Sequence, residues 1–426
     1  MSHQLRLEAL QAGGRLPGVV AGVIADGELG WTGAAGMGDV HQQYRIGSIT
    51  KSMTAVAVLQ LREEGHLELD HPIGRYVPET GYAAATLRAL LSHTSGMQSE
   101  PVGSWWERSP GSGFDTLAAD NDGSGAVAGP GEYYHYSNLG YALLGEAVAR
   151  LRGVSWWDVV RDRLLDPLGM SRTSYHPEAP AAQGFSVDHF AGTLTPEPHQ
   201  DTLAMAPAGQ AWSTVADLAR WARFLADGHP GVLPAETLRE MSRAQPPATG
   251  YGLGLKLVRQ GGRGLVGHGG TMPGFRAGVL VDPDRRDGVV VLCNATTGLP
   301  YETMPALFLG DADQAAPTPA WVPTNRVPDE VAPILGLWFW GNTAGELRWQ
   351  NERLELRGLN SAEVSDAFEL RDGRLVGVSG YHRGETLHVR STHLECATFV
   401  YTRTPYDPKA PIPGGPPAPV SRTGVW

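Results

Sequence analysis

The Pro-rich stretch at residues 311–333 constrains the fold most, because it separates two parts of the chain with different hydrophobic periodicity. Before it, apolar residues recur at helical spacing in several segments, whereas only short alternating runs follow it. The stretch itself has no periodicity and has the composition of a linker. We therefore expect one domain over residues 1–310 and a second over residues 334–426.

The first domain has predicted strands at both ends and helices between them. An Asp-Gly turn joins two strands within residues 17–34, and further strands are expected at 251–258, 263–268, 275–282 and 288–294. Helical spacing marks the segment from Ser48 to Gly65 and the segments 138–151, 216–227 and 235–243. This order predicts an α+β domain, with a central antiparallel sheet closed by the N- and C-terminal strands and covered by helices.

The second domain reads as entirely β. Short alternating runs with frequent turn signals fill residues 334–405, and no helical pattern occurs there. A small barrel or sandwich is expected, followed by an extended tail over residues 405–426.

Composition excludes several classes of function. The formal net charge of −11 repels nucleic-acid phosphates and anionic lipid, so we expect neither nucleic acid nor membrane as a partner. The N-terminus has no apolar signal-peptide region, and no stretch reaches the roughly 18 apolar residues of a membrane span, which predicts a cytoplasmic protein. Phosphate-binding glycine loops and metal motifs such as HExxH or paired CxxC are missing, so no cofactor and no metal are expected. Cys293 and Cys396 lie in apolar runs typical of buried free thiols.

The segment Ser48-Ile49-Thr50-Lys51 is the first candidate for chemistry. At the start of a helix, a serine and a lysine three residues apart share one face. An amine whose pKa is lowered by burial can take the serine proton, and a helix N-terminus favours negative charge at Ser48. Lysine occurs at only three positions in the chain, which makes the pairing unusual. The alternative is an exposed first-turn lysine beside a capping serine.

Tyr136-Ser137-Asn138 is the second candidate and directly precedes a predicted helix. Ser137 and Asn138 are ordinary helix caps, and capping alone is the alternative interpretation. In a catalytic interpretation the Tyr136 phenol relays a proton near a cation, and Asn138 holds Lys51 and a substrate carbonyl.

His268-Gly269-Gly270-Thr271 is the third candidate, at the end of a predicted strand. Glycines allow a substrate to lie against the strand backbone, and the Thr271 N–H can form an oxyanion hole with that of Ser48. A Gly-rich hairpin with an incidental histidine is the alternative. The segment LLSHTSGM at residues 90–97 is expected to be a helix end in which His93 is structural.

Four segments in this order, GSITK, LLSHTSGM, YSNLGYALLG and HGGTMPGF, resemble the serine β-lactamase and penicillin-binding-protein superfamily in its class C-like branch. The resemblance covers about residues 10–305. It implies that Ser48 is the nucleophile, Lys51 its base, and Tyr136 and Asn138 the second motif. His268-Gly269-Gly270 takes the place of the third motif. The C-terminal domain is similar to the lipocalin-like barrels of some relatives, where such a barrel either lines the cleft or only stabilises the protein.

One departure from this superfamily concerns the substrate. Many members have Lys-Thr-Gly at the third motif, where the lysine attracts a substrate carboxylate, whereas this chain has the less charged His268. We therefore expect a serine hydrolase acting on a small ester, amide or peptide rather than on a β-lactam. The alternatives are a D-amino-acid aminopeptidase or amidase, a peptide cyclase, and a catalytically silent ligand sensor.

Overall fold

The computed structural model describes residues 3–310, 317–359, 361, 363–405, 407, 410, 411 and 413. Residues 311–316 of the predicted linker and most of the predicted tail lie outside the described residues. The chain forms two compact units, Met1–Ser186 with Pro196–Trp321, and Val187–Thr195 with Val322–Trp426. Among the described residues, no helix combines the length and the apolarity that crossing a bilayer requires.

A six-stranded antiparallel sheet forms the centre of the first unit. Its strands are β1 (Gly18–Ala25), β2 (Glu28–Gly36), β7 (Lys256–Gln260), β8 (Arg263–Met272), β9 (Phe275–Asp282) and β10 (Asp287–Cys293). The order β2-β1-β10-β9-β8-β7 places the first and last strands of the unit side by side, with Val20 opposite Leu292. A small sheet adds β3 (Tyr44–Arg45) paired with β6 (Trp212–Ser213). A further pair, β4 (Phe185–Val187) with β5 (Leu194–Pro196), lies at the two ends of the segment 187–195.

The predicted α+β sheet is confirmed, but β7 begins five residues later than expected. Residues 251–255 turn instead, because Gly254 has a φ of +79° and its backbone lies against Ala55, where a Cβ would come within 2.2 Å of the Ala55 Cβ. Only glycine adopts this conformation without strain.

Helices of the first unit pack on the sheet and on one another. Those described are α1 (His3–Gly14), α2 (Ile49–Glu63), α3 (Leu87–Leu91), α4 (Phe114–Asp120), α5 (Asn138–Arg152), α6 (Trp156–Val160), α7 (Ala206–Gly209), α8 (Val215–Asp227), α9 (Ala235–Met241) and α10 (Met304–Leu309). Every residue of α2 from Ile49 to Leu61 is buried, including polar ones such as Lys51, Ser52 and Gln60. Helices α5 and α7 both pack against α2. Sequence analysis missed α1, whose apolar residues favour no single face.

The second unit contains a closed barrel of eight strands. They are β11 (Gly336–Trp340), β12 (Thr343–Gln350), β13 (Arg353–Gly358), β14 (Val364–Arg371), β15 (Arg374–Gly380), β16 (Thr386–Val389), β17 (His393–Cys396) and β18 (Phe399–Thr402). Each strand pairs with the next, and β11 pairs with β18 to close the barrel, so the all-β prediction is confirmed. Side chains such as Trp338 and Phe368 fill the interior and leave a cavity of only about 10 Å³.

Residues 187–195 belong to the second unit although they lie far from it in sequence. The Phe190 carbonyl accepts a hydrogen bond from the Trp349 N–H at 2.8 Å, and the Gly192 carbonyl accepts one from the Thr324 N–H at 3.0 Å. His189 Nε2 lies 2.9 Å from Glu346 Oε2. The second unit therefore takes its residues from two separate parts of the chain.

Candidate active site

Ser48 lies at the N-terminal end of α2, directly after a left-handed glycine. Gly47 has a φ of +53°, and a Cβ there would lie 2.7 Å from the Thr271 backbone nitrogen. Glycine is therefore required by both conformation and space. The Ser48 side chain makes no capping hydrogen bond to α2, so its hydroxyl is not used in holding the helix.

Lys51 lies one helical turn after Ser48 and is completely buried. Its Nζ is 2.9 Å from Ser48 Oγ and donates a hydrogen bond of 2.6 Å to the Ala208 carbonyl. Within the described residues, no carboxylate forms an ion pair with Lys51. Burial lowers the pKa of the Lys51 amine to about 7, although the charges of Glu100 and Glu107 act in the opposite direction. The alternative of an exposed lysine beside a capping serine does not match this geometry.

Tyr136 brings a phenol to the same place from the start of α5. The Lys51 Nζ lies 5.0 Å from the centre of the Tyr136 ring. Burial raises the pKa of the Tyr136 phenol well above its usual value, while a hydrogen bond with the Ser48 side chain acts the other way. The phenol is thus protonated at neutral pH. Ser137 caps α5, since its Oγ accepts a hydrogen bond of 3.0 Å from the Gly140 N–H. The cap fixes the start of the helix and therefore also the position of Tyr136, the residue before it.

His93, from the LLSHTSGM segment, packs against the ring of Tyr136. It is buried after α3 with a φ of +57°, and its ring centre lies 4.1 Å from that of Tyr136. Its Nδ1 accepts a hydrogen bond of 3.1 Å from the Ser137 N–H. Burial lowers the pKa of the His93 imidazole well below its usual value, so the ring is neutral. These contacts fit the predicted structural role.

The third segment lies on β8, against the turn that precedes Ser48. A Cβ on Gly270 would lie 1.9 Å from the Ile46 carbonyl oxygen and 2.8 Å from the Ser48 nitrogen. A Cβ on Gly47 would likewise lie 2.7 Å from the Thr271 nitrogen, so the amides of Ser48 and Thr271 flank this contact. Among the described residues the Ser48 N–H has no protein acceptor. Two N–H groups on either side of one contact are what an oxyanion hole needs, and this role of Ser48 and Thr271 stays a prediction.

His268 is buried beside these glycines and is neutral. Its Nε2 forms a hydrogen bond of 2.8 Å with the Tyr251 hydroxyl. Burial, together with the neighbouring Lys51, lowers the pKa of the His268 imidazole to about 3. A fixed positive charge is therefore missing at the position where a lysine would attract a carboxylate.

Asn138 contacts a different partner from the one expected. Its Nδ2 donates a hydrogen bond of 2.7 Å to Glu100 Oε1, and its buried Oδ1 has no donor among the described residues. The hydrogen bonds of the Lys51 amine go to Ser48 and Ala208 instead. The predicted Asn138–Lys51 contact is not formed in this structure, in which the Asn138 amide nitrogen is bound to Glu100 and the Lys51 amine to Ser48 and Ala208.

A cleft of about 390 Å³ opens onto Ser48. It is lined by Ser48, Glu107, Tyr134, Tyr136, Lys256, His268, Gly269, Gly270, Thr271 and Tyr301. A larger cleft of about 750 Å³, beside Trp157 and Tyr175, contains none of the predicted site residues. The structure thus brings the predicted residues together in one accessible cleft, apart from the buried Lys51 behind it and Asn138.

Four residues of this cleft were missed by sequence reasoning: Glu107, Tyr134, Lys256 and Tyr301. The rarity of lysine was a usable signal for Lys256, which lies on β7 opposite Gly267 and pairs with Glu302 at 2.8 Å. Glu107 and Tyr134 lie in an aperiodic, Gly- and Pro-rich region that gives no such signal. Burial raises the pKa of the Glu107 carboxyl.

Comparison with known proteins agrees with this geometry, since residues 5–314 match the β-lactamase family model. The chain belongs to the β-lactamase family. The superfamily that contains this family also includes penicillin-binding proteins and D-amino-acid amidases, which are serine hydrolases. Residues 327–403 match a family described as a domain of unknown function, DUF7586.

Individual relatives of this β-lactamase family member include penicillin-binding protein 4 of Amycolatopsis lactamdurans. It is 31% identical over 378 residues, which cover 78% of this chain and 96% of the relative. The octameric penicillin-binding protein homologue from Pyrococcus abyssi superposes with a TM-score of 0.65 at 25% identity, covering 92% of this chain and 97% of its own. A D-stereospecific amidohydrolase from Streptomyces sp. gives a TM-score of 0.64 at 27% identity, covering 73% and 100%.

Proposed function

We propose that this protein is a serine hydrolase that cleaves a carboxylic ester or amide through an acyl-enzyme on Ser48. The observation that carries the proposal is the contact of 2.9 Å between Ser48 Oγ and the fully buried Lys51 Nζ. Because the pKa of this amine is lowered to about 7, a large fraction of Lys51 is neutral at physiological pH and can accept a proton.

In the acylation step, Lys51 takes the hydroxyl proton as Ser48 Oγ bonds to the substrate carbonyl carbon. The N–H groups of Ser48 and Thr271 stabilise the negative charge on the carbonyl oxygen. Tyr136, which is protonated, gives its phenol proton to the leaving group as the bond to that group breaks. The proton held by Lys51 then returns to Tyr136, and the Ser48 ester remains.

In the second step, water attacks the Ser48 ester and the same groups move protons in reverse. Lys51 accepts a proton from the water, and Ser48 Oγ is released as a hydroxyl. Replacement of the water by an amine nucleophile gives acyl transfer, which is the reaction of a peptide cyclase.

The cleft favours a substrate without a free carboxylate near the third motif. His268 is neutral there, and the cleft cation Lys256 is already paired with Glu302. Neither residue offers an uncompensated positive charge, which supports esters and amides over substrates with a carboxylate at that position.

A second candidate function is hydrolysis of amino-acid amides, and Glu107 favours it. Its carboxyl group lines the cleft next to Ser48, where a carboxylate can bind the ammonium group of an amino-acid amide. The similarity to a D-stereospecific amidohydrolase supports the same reading.

The proposal is tested with a p-nitrophenyl acetate or butyrate assay and a fluorophosphonate probe. Ser48→Ala should lose about 10³-fold or more in turnover and all labelling, because the nucleophile is missing. Ser52→Ala is the matched control, since Ser52 lies on the same helix and its Oγ donates to the Ile49 carbonyl. Turnover that survives in Ser48→Ala excludes the acyl-enzyme. A wild-type protein that neither reacts with the probe nor hydrolyses the ester is instead a ligand sensor.

The amidase candidate is tested with paired D- and L-amino-acid amides. Glu107→Gln should lower kcat/KM for the amides about tenfold or more, because the ammonium group loses its charged partner, and leave acetate-ester hydrolysis nearly unchanged. Equal losses on both substrate types would contradict an ammonium-binding role.

A further inference from the structure

Three side chains of the second unit that can bind metal come together far from Ser48 in sequence. They are His382, Glu385 and Cys396, and one ligand atom from each lies within 4.8 Å of the others. Glu385 Oε2 is 2.7 Å from His382 Nδ1 and 3.8 Å from Cys396 Sγ. An imidazole, a carboxylate and a thiol thus converge on one point of the barrel.

The local backbone explains this convergence. A turn closed by a hydrogen bond of 3.1 Å from the Glu385 N–H to the His382 carbonyl places these two side chains at its ends. Gly384, at its third position, has a φ of +87°, which this turn type reserves for glycine. Cys396 pairs with Leu387 between β17 and β16, so Glu385 is its diagonal neighbour on the same face.

A second layer of contacts holds the histidine in a fixed orientation. His382 Nε2 forms a hydrogen bond of 3.0 Å with the Tyr401 hydroxyl, and the His382 N–H donates one of 2.7 Å to Asp366 Oδ1. With Nε2 bound to Tyr401, Nδ1 is the ring nitrogen that faces Glu385. Protein ligands to metals are usually oriented by outer hydrogen bonds of this kind.

The cluster of His382, Glu385 and Cys396 is shielded from solvent at His382 and Cys396 and exposed to solvent at Glu385. His382 is 1% exposed and Cys396 is fully buried, and the Phe399 ring centre lies 4.8 Å from that of His382. The Glu385 side chain is 43% exposed. An ion and a water ligand therefore have access from the Glu385 side.

We propose that His382, Glu385 and Cys396 form a zinc-binding site in the barrel, with water as the fourth ligand. A thiolate with an imidazole disfavours magnesium and calcium, which prefer oxygen ligands, and is typical of zinc in a tetrahedral site. Binding replaces the thiol proton of Cys396 with the metal and releases that proton to solvent. The sequence gives no sign of this site, because the spacing of the three residues matches neither HExxH nor paired CxxC.

The test uses the untagged full-length chain, loaded with zinc chloride and passed into metal-free buffer before metal analysis. Wild type should keep about one zinc per chain, and Cys396→Ala should keep less than about a tenth of that. Cys293→Ala is the matched control, because Cys293 is the other buried free thiol and lies in the first unit. Tyr401→Phe, which removes only the outer hydrogen bond, should weaken zinc affinity about tenfold. Cobalt in place of zinc should give a thiolate charge-transfer band that Cys396→Ala lacks.

Folding of the variants is checked by circular dichroism, and ester turnover at Ser48 checks that the first unit is intact. If Cys396→Ala fails to fold, Glu385→Gln on the exposed side of the site replaces it and should also lose zinc. The proposal is wrong if wild type retains no zinc. It is also wrong if a folded ligand variant keeps as much zinc as wild type. It is wrong as well if Cys293→Ala loses as much zinc as Cys396→Ala. In each of those cases the three side chains form a hydrogen-bonded network only.

Discussion

Replacement of Lys51 by methionine should make the catalytic unit more stable at neutral pH while it destroys activity. The pKa of this amine is about 7 in the folded protein against an ordinary value of 10.5. Since one pKa unit corresponds to about 1.4 kcal/mol, keeping the desolvated amine costs the folded state about 4 kcal/mol at pH 7. Methionine removes this cost but leaves the Ala208 carbonyl without its donor, a loss of about 1–3 kcal/mol. The net gain at pH 7 is about 1–3 kcal/mol.

The sign of the pH dependence follows from the same values. Because the folded pKa lies below the unfolded one, the cost in wild type is complete below pH 7 and disappears as the pH approaches 10.5. The stability advantage of Lys51→Met should therefore shrink as pH rises and reverse near pH 10, where only the lost hydrogen bond remains. Ester turnover should fall about 10²–10⁴-fold at every pH, because the general base is missing.

The measurement is urea denaturation of both proteins from pH 6 to pH 10, with the difference in unfolding free energy taken at each pH. Lys256→Met is the matched control, because the pKa of the Lys256 amine is raised by its bonds to Glu302 and Tyr301. That variant should gain no stability on acidification. If Lys51→Met is less stable than wild type by the same amount at every pH, Lys51 is not a desolvated base and the reasoning fails.

Two further predictions concern rate and geometry. The value of kcat/KM for p-nitrophenyl acetate should rise with pH to a plateau with an apparent pKa near 7, because Lys51 must be neutral. His268, with a pKa of about 3, should add no second inflection, and a profile that is flat from pH 5 to 9 would exclude Lys51 as the base. Gly270→Ala should lower kcat/KM about 100-fold or more, since its Cβ would lie 1.9 Å from the Ile46 carbonyl oxygen and displace the oxyanion site. Gly264→Ala, on the same strand with nothing within 4 Å of its Cβ, should be nearly neutral, and equal effects of the two changes would refute the steric argument.

The parts of the site that could be predicted from sequence are those set by local geometry. Ser48 and Lys51 share a helix face whatever the rest of the chain does, and the helix that carries them has apolar residues at helical spacing. The approach of Tyr136 follows from packing of α5 on α2, which sequence alone supports only through the resemblance to known relatives.

The parts that could not be predicted depend on long-range contacts from aperiodic segments. Glu100 accepts a hydrogen bond from the Asn138 amide nitrogen, and no pattern in the sequence indicates this partner. Glu107 reaches the cleft from the same region, where no hydrophobic period marks its position.

The discontinuous make-up of the second unit has a practical consequence for dissecting this protein. A truncation that ends near residue 321 removes the barrel but leaves residues 187–195 behind, with the carbonyls of Phe190 and Gly192 deprived of the N–H groups of Trp349 and Thr324. Such a fragment therefore carries a loop that has lost its hydrogen-bond partners, and it is not equivalent to an isolated catalytic domain. Domain deletion or exchange therefore has to cut the polypeptide three times, between residues 186 and 187, between 195 and 196, and between 321 and 322.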